Sequence, residues 1–341
     1  MMNKRPRRPS IRDVARIAGV SHQTVSRVLN SPELVRPDTR AAIEAAIQEL
    51  GYRRSRAART LATNDSRVLG VVSVRAALFG PVETVLAIEE GARARNYATV
   101  RITLEDDSRS SLREARDHLL DLAVDGVIVL AWSEASLELA ESFADTLPTC
   151  VIAEGDAPAG MSRVRGDHFG GAVAATAALV RTGCCNIGHL AGPANWLEAQ
   201  ARRQGWSSIA TGPCVEAGWR AADGYRAMGE LWERDPAIDG VFAANDQVAI
   251  GAMKWLAEHR RSVPSDLAIV GFDDTDVAGY LPVPLASVRQ PFRAVGEAAV
   301  QAFFDLISGG SFIDETIPTQ LIMRSSAKRS RDRVPFKTSR V

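Results

Sequence analysis

Between residues 10 and 50 the apolar side chains recur at helical spacing. Ile11, Val14, Ala15 and Ala18 share one face of a first helix, which Ser10 and Asp13, three apart, open as a capping-box variant. Gly19 supplies the left-handed residue that ends it. Ser21 is placed to cap a second helix, whose inward stripe is Val25, Val28 and Leu29. A third stripe, Ala42, Ile43, Ala46, Ile47 and Leu50, is entered through Pro37 and closed by Gly51. Three such helices can share one core of roughly fifty residues, a size at which a domain is marginal and gains from dimerisation or from DNA.

The first two helices, joined by a tight turn containing Gly19, form a helix-turn-helix pattern. Its exposed face carries His22, Gln23, Ser26 and Arg27. An ordinary helical hairpin has no need of Gln and Arg there, so the pattern favours DNA reading. Residues 53–64 have high helix propensity but little to bury, and Arg56, Arg59 and Leu61 stand out among them. Alone, so short a helix would be mostly unfolded in water. Two readings fit: a solvated basic linker, or a segment that folds on DNA.

From Val68 the pattern changes to apolar strands alternating with helices. Strands are predicted at 68–74, 98–103, 126–130, 150–153, 187–191, 240–244 and 267–272. Helices are predicted at 82–95, 110–123, 135–145, 167–181, 196–206, 219–233, 247–259 and 292–308, with a last strand at 319–323. Continuous apolar strands between helices imply parallel sheets covered on both faces. Two such series imply two α/β lobes, with ligands expected between them at the carboxyl ends of the strands.

The net charge of zero hides a strong asymmetry. Residues 1–67 hold 14 Lys/Arg against 6 Asp/Glu, residues 327–341 hold 6 against 1, and the stretch between holds 21 against 34. A basic head on an acidic body suits contact with a polyanion at one end only. No secretory signal follows the basic N-terminus, and no apolar run approaches a membrane span, so a cytoplasmic location is expected. The four cysteines, Cys150, Cys184, Cys185 and Cys214, lack a disulfide-framework spacing. Cys184 and Cys185 with His189 read as packing residues, not as a metal site. There is no P-loop, dinucleotide fingerprint, nucleophile elbow or zinc-protease helix, so neither an enzyme nor a cofactor is expected.

The segments IRDVARIAGVS (11–21) and TVSRVLN (24–30) resemble the headpiece of the LacI/GalR family of bacterial transcription repressors. The resemblance continues through LAGP (190–193), ANDQVAIG (244–251), VGFDDT (270–275) and SVRQPF (287–292), and covers about 10–326. It implies an all-α helix-turn-helix headpiece at 1–52, a hinge helix or linker at 53–66 and a two-lobed α/β core at 67–326. That core resembles a periplasmic sugar-binding protein with parallel sheets. Lobe 1 would take about 67–166 and 291–318, lobe 2 about 167–290 and 319–326. A basic tail at 327–341 lacks the leucine heptad that makes tetramers in some relatives, which favours a homodimer.

The resemblance further implies a repressor on a near-palindromic double-stranded operator, released by a sugar. His22, Gln23 and Arg27 match recognition positions; Gln can pair with adenine and Arg with guanine in the major groove. Ser21, Thr24 and Ser26 match phosphate contacts or caps. Arg56 and Arg59 would give electrostatic support, and Leu61 matches a leucine that wedges into the minor groove. On the effector side Arg202, Asn245 and Asp273 match polar sugar-binding positions, Trp219 an aromatic that stacks on the sugar, and Gln290 and Phe292 the cleft between lobes. Trp196 and Glu198 fall near the cleft mouth, within reach of the far end of an oligosaccharide. Structural alternatives stay open: Asp273 or Asp274 capping a turn, Trp219 in the core, Asn245 capping the next helix. Two positions depart from the family. Ala153 replaces a frequent Asp after the fourth strand, so that a contact is lost or Glu154 replaces it, and the stretch 206–219 is short. The competing functions are a corepressor-dependent regulator, binding a purine or a phosphoprotein, and a solute-binding protein without a DNA role.

Overall fold

The structure, a computed structural model, describes residues 9–52, 65–74, 79–156 and 159–328. The chain divides into two compact units, Met1–Ser66 and Arg67–Val341.

In the first unit Ser10 donates its backbone N–H and its hydroxyl to Asp13 Oδ2 at 2.8 and 2.7 Å, which starts α1 (Ile11–Ile17). Gly19, at φ +65°, turns the chain toward α2 (His22–Asn30). Ser21 caps that helix, its Oγ accepting from the Thr24 N–H at 3.1 Å. Pro37 opens α3 (Pro37–Leu50), and Gly51 ends it at φ +58°. Val14, Val25, Val28, Ile43 and Ala46 close a core to which each helix contributes.

The second unit holds two six-stranded sheets. The first contains β1 (Val68–Val74), β2 (Ala98–Leu104), β3 (Gly126–Leu130), β4 (Thr149–Ile152), β5 (Ser162–Gly166) and β11 (Asp314–Ile317), in the order β11-β5-β4-β3-β1-β2, all parallel. The second contains β6 (Ile187–Ala191), β7 (Cys214–Glu216), β8 (Gly240–Ala243), β9 (Ala268–Asp273), β10 (Ala286–Arg289) and β12 (Gln320–Ile322), in the order β12-β10-β9-β8-β6-β7; only the β10–β12 pair is antiparallel. The first five strands of each sheet therefore repeat one doubly wound order. The chain passes between the sheets three times: after β5, after β10 and between β11 and β12.

Around the first sheet pack α4 (Phe79–Ala94), α5 (Arg109–Asp121), α6 (Glu134–Ala144) and α11 (Phe292–Ile307). Around the second pack α7 (His168–Arg181), α8 (Leu197–Ser207), α9 (Ala221–Arg234) and α10 (Asp246–Glu258). None of the described helices is long and apolar enough to cross a membrane.

Four strands escape the hydrophobic pattern: β5, β7, β10 and β11. In β5 the sequence reads Ser-Arg-Val-Arg-Gly, and the arginines hide its strand character. Buried Arg163 reaches across to Asp314 of β11 in a two-pronged pair at 2.9 and 2.7 Å, so partners from a distant segment make the strand tolerable. The short stretch 206–219 still supplies an edge strand, three-residue β7. Helix α4 starts three residues earlier than the pattern predicts, because Pro81 is tolerated in a first turn. At the other end Ser326 and Ala327 are fully buried, and the Ser326 hydroxyl donates to the Ile269 carbonyl at 2.7 Å. The packed part of the second sheet thus runs a residue past 326.

Candidate functional site

In the first unit α2 presents His22, Gln23 and Arg27 as exposed side chains, while Val25 and Val28 face inward. Ser21 and Thr24 hold each other, hydroxyl to hydroxyl at 2.8 Å, so their first duty is to cap the helix. Ser26 is half-buried. Arg56, Arg59 and Leu61 lie outside the described residues.

In the second unit a cleft with about 760 Å³ of empty space, including its open mouth, lies at the carboxyl ends of both sheets. Strand ends of the first sheet supply Val74, Leu130, Ala131, Trp132 and Ile152, and α4 and α11 add Pro81, Thr84, Phe292 and Val295. The second sheet supplies Trp196 and Glu198 after β6, Trp219 after β7, Asn245 after β8 and Asp273 at the end of β9. Gly166, His168 and Gln290 line it at the crossovers. All seven effector positions named from the sequence reach this one cleft: Arg202, Trp219, Asn245, Asp273, Gln290, Phe292 and Trp196.

Arg202 is the centre of the polar wall, 4% exposed. Its Nε donates to His168 Nδ1 at 3.2 Å and its Nη1 to the Ala244 carbonyl at 2.5 Å. Its Nη2 stands 3.9 Å from Asp273 Oδ1, and the guanidinium lies 4.3 Å over the Phe272 ring and 5.4 Å over Trp219. Asp273 is held at φ +102°, a strained conformation for a residue with a side chain, and Gln290 donates to its Oδ1 at 2.6 Å. Burial raises the Asp273 carboxyl to about 6, against the pull of Arg202 and the Gln290 bond. His168 is pushed well below the ordinary histidine value by burial, then by the charges of Arg202 and Arg165, so its imidazole is neutral. With Nδ1 accepting from Arg202, the ring proton sits on Nε2, 3.9 Å from Glu154 Oε1.

Asn245 combines the two roles that the sequence left open. Its Oδ1 caps α10 by accepting the Val248 N–H at 2.8 Å, and its Nδ2 donates to the Trp219 carbonyl at 3.1 Å. It lines the cleft and fixes the backbone that carries the indole. Asp274 is a clamp, not a cleft group: it pairs with Arg289 at 2.7 Å and Arg324 at 2.6 Å. Of the two readings of Ala153 and Glu154, the structure favours a lost contact. Glu154 lies behind His168, off the cleft wall, and pairs with Arg165 at 3.3 Å.

Three indoles make the apolar wall. Trp196 meets Trp219 edge-on at 5.3 Å between ring centres and Trp132 at 6.4 Å. Gly192 gives Trp219 its room, since a Cβ there would stand 2.4 Å from the ring. The buried Trp219 Nε1 has no hydrogen-bond partner among the described residues. The Trp132 carbonyl accepts the Leu197 N–H at 2.9 Å, which ties the two sheets' loops at this edge of the cleft. Sequence reasoning missed Trp132 and His168 as lining residues. Trp132 ends an apolar strand and His168 opens a helix, so neither carries a local signal of its place.

Residues 10–55 match the family model described as "Bacterial regulatory proteins, lacI family", and residues 176–327 match that of a periplasmic binding protein-like domain. The chain is 33% identical to the HTH-type transcriptional regulator CelR of Thermobifida fusca, over 94% of this chain and 97% of that one. It is 30% identical to the lactose operon repressor of Escherichia coli K12, over 92% and 89%. Among solved structures it is similar to a lac repressor dimer bound to operator and the anti-inducer ONPF (TM-score 0.85, 28% identity, 94% and 99% covered). A CelR–cellobiose complex is similar as well (TM-score 0.69, 30% identity, 94% and 100% covered).

Proposed function

The chain belongs to the LacI family of bacterial regulatory proteins, and from that premise we propose that it is a repressor released from its operator by a glycoside of one or two rings. It is a DNA-binding transcription regulator and not an enzyme. The observation that carries the sugar reading is the cleft wall: Arg202, Asn245, Asp273 and Gln290 gather beside Trp132, Trp196 and Trp219. A pyranose offers hydroxyls at its edge and C–H groups on its face, and this wall offers partners for both. The three-indole run has length for a second ring, and the relative solved with cellobiose is of that size class.

The working unit in this reading is a homodimer on a near-palindromic operator, with headpiece 1–52, hinge 53–66 and core 67–326. His22, Gln23 and Arg27 read bases, Ser21, Thr24 and Ser26 position the helix on phosphates, and Arg56, Arg59 and Leu61 serve the hinge. The effector touches both lobes, Trp132 and Phe292 on one side and Trp219 and Asp273 on the other. It therefore favours one lobe arrangement, and by linkage the operator must weaken effector binding by the same factor. An operator-binding titration across a panel of mono- and disaccharides tests this. Loss of operator affinity of about 5- to 150-fold with one sugar is expected. A ligand that tightens operator binding would make the protein corepressor-dependent, and indifference to DNA at low salt would leave only a solute-binding role.

A further inference from the structure

We infer that the cleft is a charge filter, admitting an uncharged glycoside and turning away its phosphorylated or uronic counterpart, with Glu198 as the residue that sets the choice. The inference rests on the glycoside reading above and narrows it to a chemical class.

The first ground is that the charge of the cleft's cation is already paired with a buried carboxyl. Among the described residues Arg202 is the one Lys or Arg on the cleft wall, and its three nitrogens face His168, the Ala244 carbonyl and Asp273. His168 is held neutral by burial first and then by the charges of that same guanidinium and of Arg165. A phosphate entering here would have to break a buried pair to find a positive partner, which is costly.

The second ground is the set of helix N-termini on the lobe 2 side. Such ends are natural anion sites, with free N–H groups and a favourable dipole. Each of the three that start at the cleft carries its own acid. Asp167 caps α7, its Oδ1 accepting the Gly170 N–H at 2.7 Å. Asp246 stands in the first turn of α10, behind the Asn245 cap. Helix α8 has no side-chain cap, and Glu198 stands in its first turn. On the lobe 1 side α4 and α11 turn Pro81, Phe292 and Val295 to the cleft, and Arg293 is engaged with Glu90 and Glu297.

The third ground is Glu198 itself. It lines the cleft, and its carboxylate makes no hydrogen bond or ion pair to any described residue. An acceptor open to the cleft suits a sugar hydroxyl. A second anion beside it is repelled. Burial, and then the charges of Glu154 and Asp273, raise this carboxyl to about 7, with Arg202 opposing. Full charge on the filter therefore comes only above neutrality.

The consequence places the signal in a reaction sequence. The effector is the sugar as it arrives unmodified or is freed by glycosidic cleavage, and a phosphoryl transfer to it would remove the signal.

The test is calorimetric titration of the full-length protein with matched probes: cellobiose, cellobiose 6′-phosphate and cellobiouronic acid, at pH 6 and pH 8, repeated with lactose and its phosphate. Both anionic probes should bind about 100-fold more weakly than the parent at pH 8. The uronic acid, whose own charge is constant over this range, should be less disfavoured at pH 6. In Glu198→Gln the parent-to-uronate ratio at pH 8 should fall to within about tenfold, and of its change between pH 6 and pH 8 only the part carried by Asp273 should remain, even where the parent itself binds less well. A phosphate that binds as tightly as its parent overturns the filter and leaves the glycoside reading standing. A ratio unchanged in Glu198→Gln overturns the role of Glu198. Silence toward every neutral and anionic probe overturns the glycoside reading and the filter together.

Discussion

Gly192→Ala perturbs the cleft without deleting any group that would touch a ligand. Gly192 follows β6 and is buried, and the added Cβ would fall 2.4 Å from Trp219 Cη2 and 2.8 Å from Cζ2 and Cζ3. Those carbons belong to a rigid ring, so relief comes only by tilting the whole indole. Overpacking of this kind costs about 1–3 kcal/mol. Trp219 is half-buried beside open space, so the ring can move out into the cleft. The cost then falls on the ligand, which must push the indole back or bind without it. Effector affinity should drop roughly 5- to 150-fold, at about 1.4 kcal/mol per tenfold. Sugar-free operator affinity should stay near wild type. Calorimetric titration with the responsive sugar and thermal unfolding of the free protein separate the outcomes. Unchanged affinity with a lowered melting temperature would refute the stacking role and make Trp219 a packing residue. Unchanged values in both would refute the steric reasoning itself.

Three further outcomes are expected. Arg27→Ala should weaken operator binding by about 1–3 kcal/mol and relax preference at one base position; a mobility-shift series over single-base variants that all weaken equally would reduce Arg27 to a phosphate contact. Val25→Ala removes buried methyls from a small core and should cost about 2 kcal/mol or more, lost from the first unit alone. Calorimetry should then show operator binding abolished at a temperature where the sugar titration is intact; parallel loss of both would contradict the division at residue 66. Asp246 is fully buried and accepts from Ser287 and Thr275; burial, then the Asp273 charge, raises its carboxyl to about 7. Unfolded, it titrates near 4, so its contribution to stability is full below that pH and is lost as pH rises through 7. Asp246→Asn should remove that decline, up to about 1.4 kcal/mol per pH unit, and equal slopes from pH 5 to 7 in both proteins would count against it.

The headpiece was legible nearly to the residue because its signals are local. The Ser10–Asp13 box, the Ser21 cap, Pro37 and the left-handed glycines each act within four residues of where they stand. The central strands of both sheets were legible because, buried on both faces, they must be apolar throughout. Edge strands β7 and β11, and β5 with its two arginines, were not. Their pairing depends on partners far along the chain, such as Asp314 for Arg163. Within the cleft, the resemblance to known repressors located Arg202, Trp219, Asn245, Asp273 and Gln290, yet not what they hold.

The sequence by itself determined that a basic three-helix head precedes an acidic α/β body, and which side chains face inward in each. Periodicity and capping are properties of a few neighbouring residues, and no distant partner can alter them cheaply. Only the tertiary structure decided that Arg202 is hydrogen-bonded to His168 and the Ala244 carbonyl with Asp273 nearby, that Asn245 both caps a helix and lines the cleft, and that Trp132 joins Trp196 and Trp219 in one wall. It also set apart Asp273, which faces the cleft, from its neighbour Asp274, which clamps two arginines. The charge on a buried group depends on what surrounds it in three dimensions, and here those surroundings come from seven strand ends and two crossings of the chain.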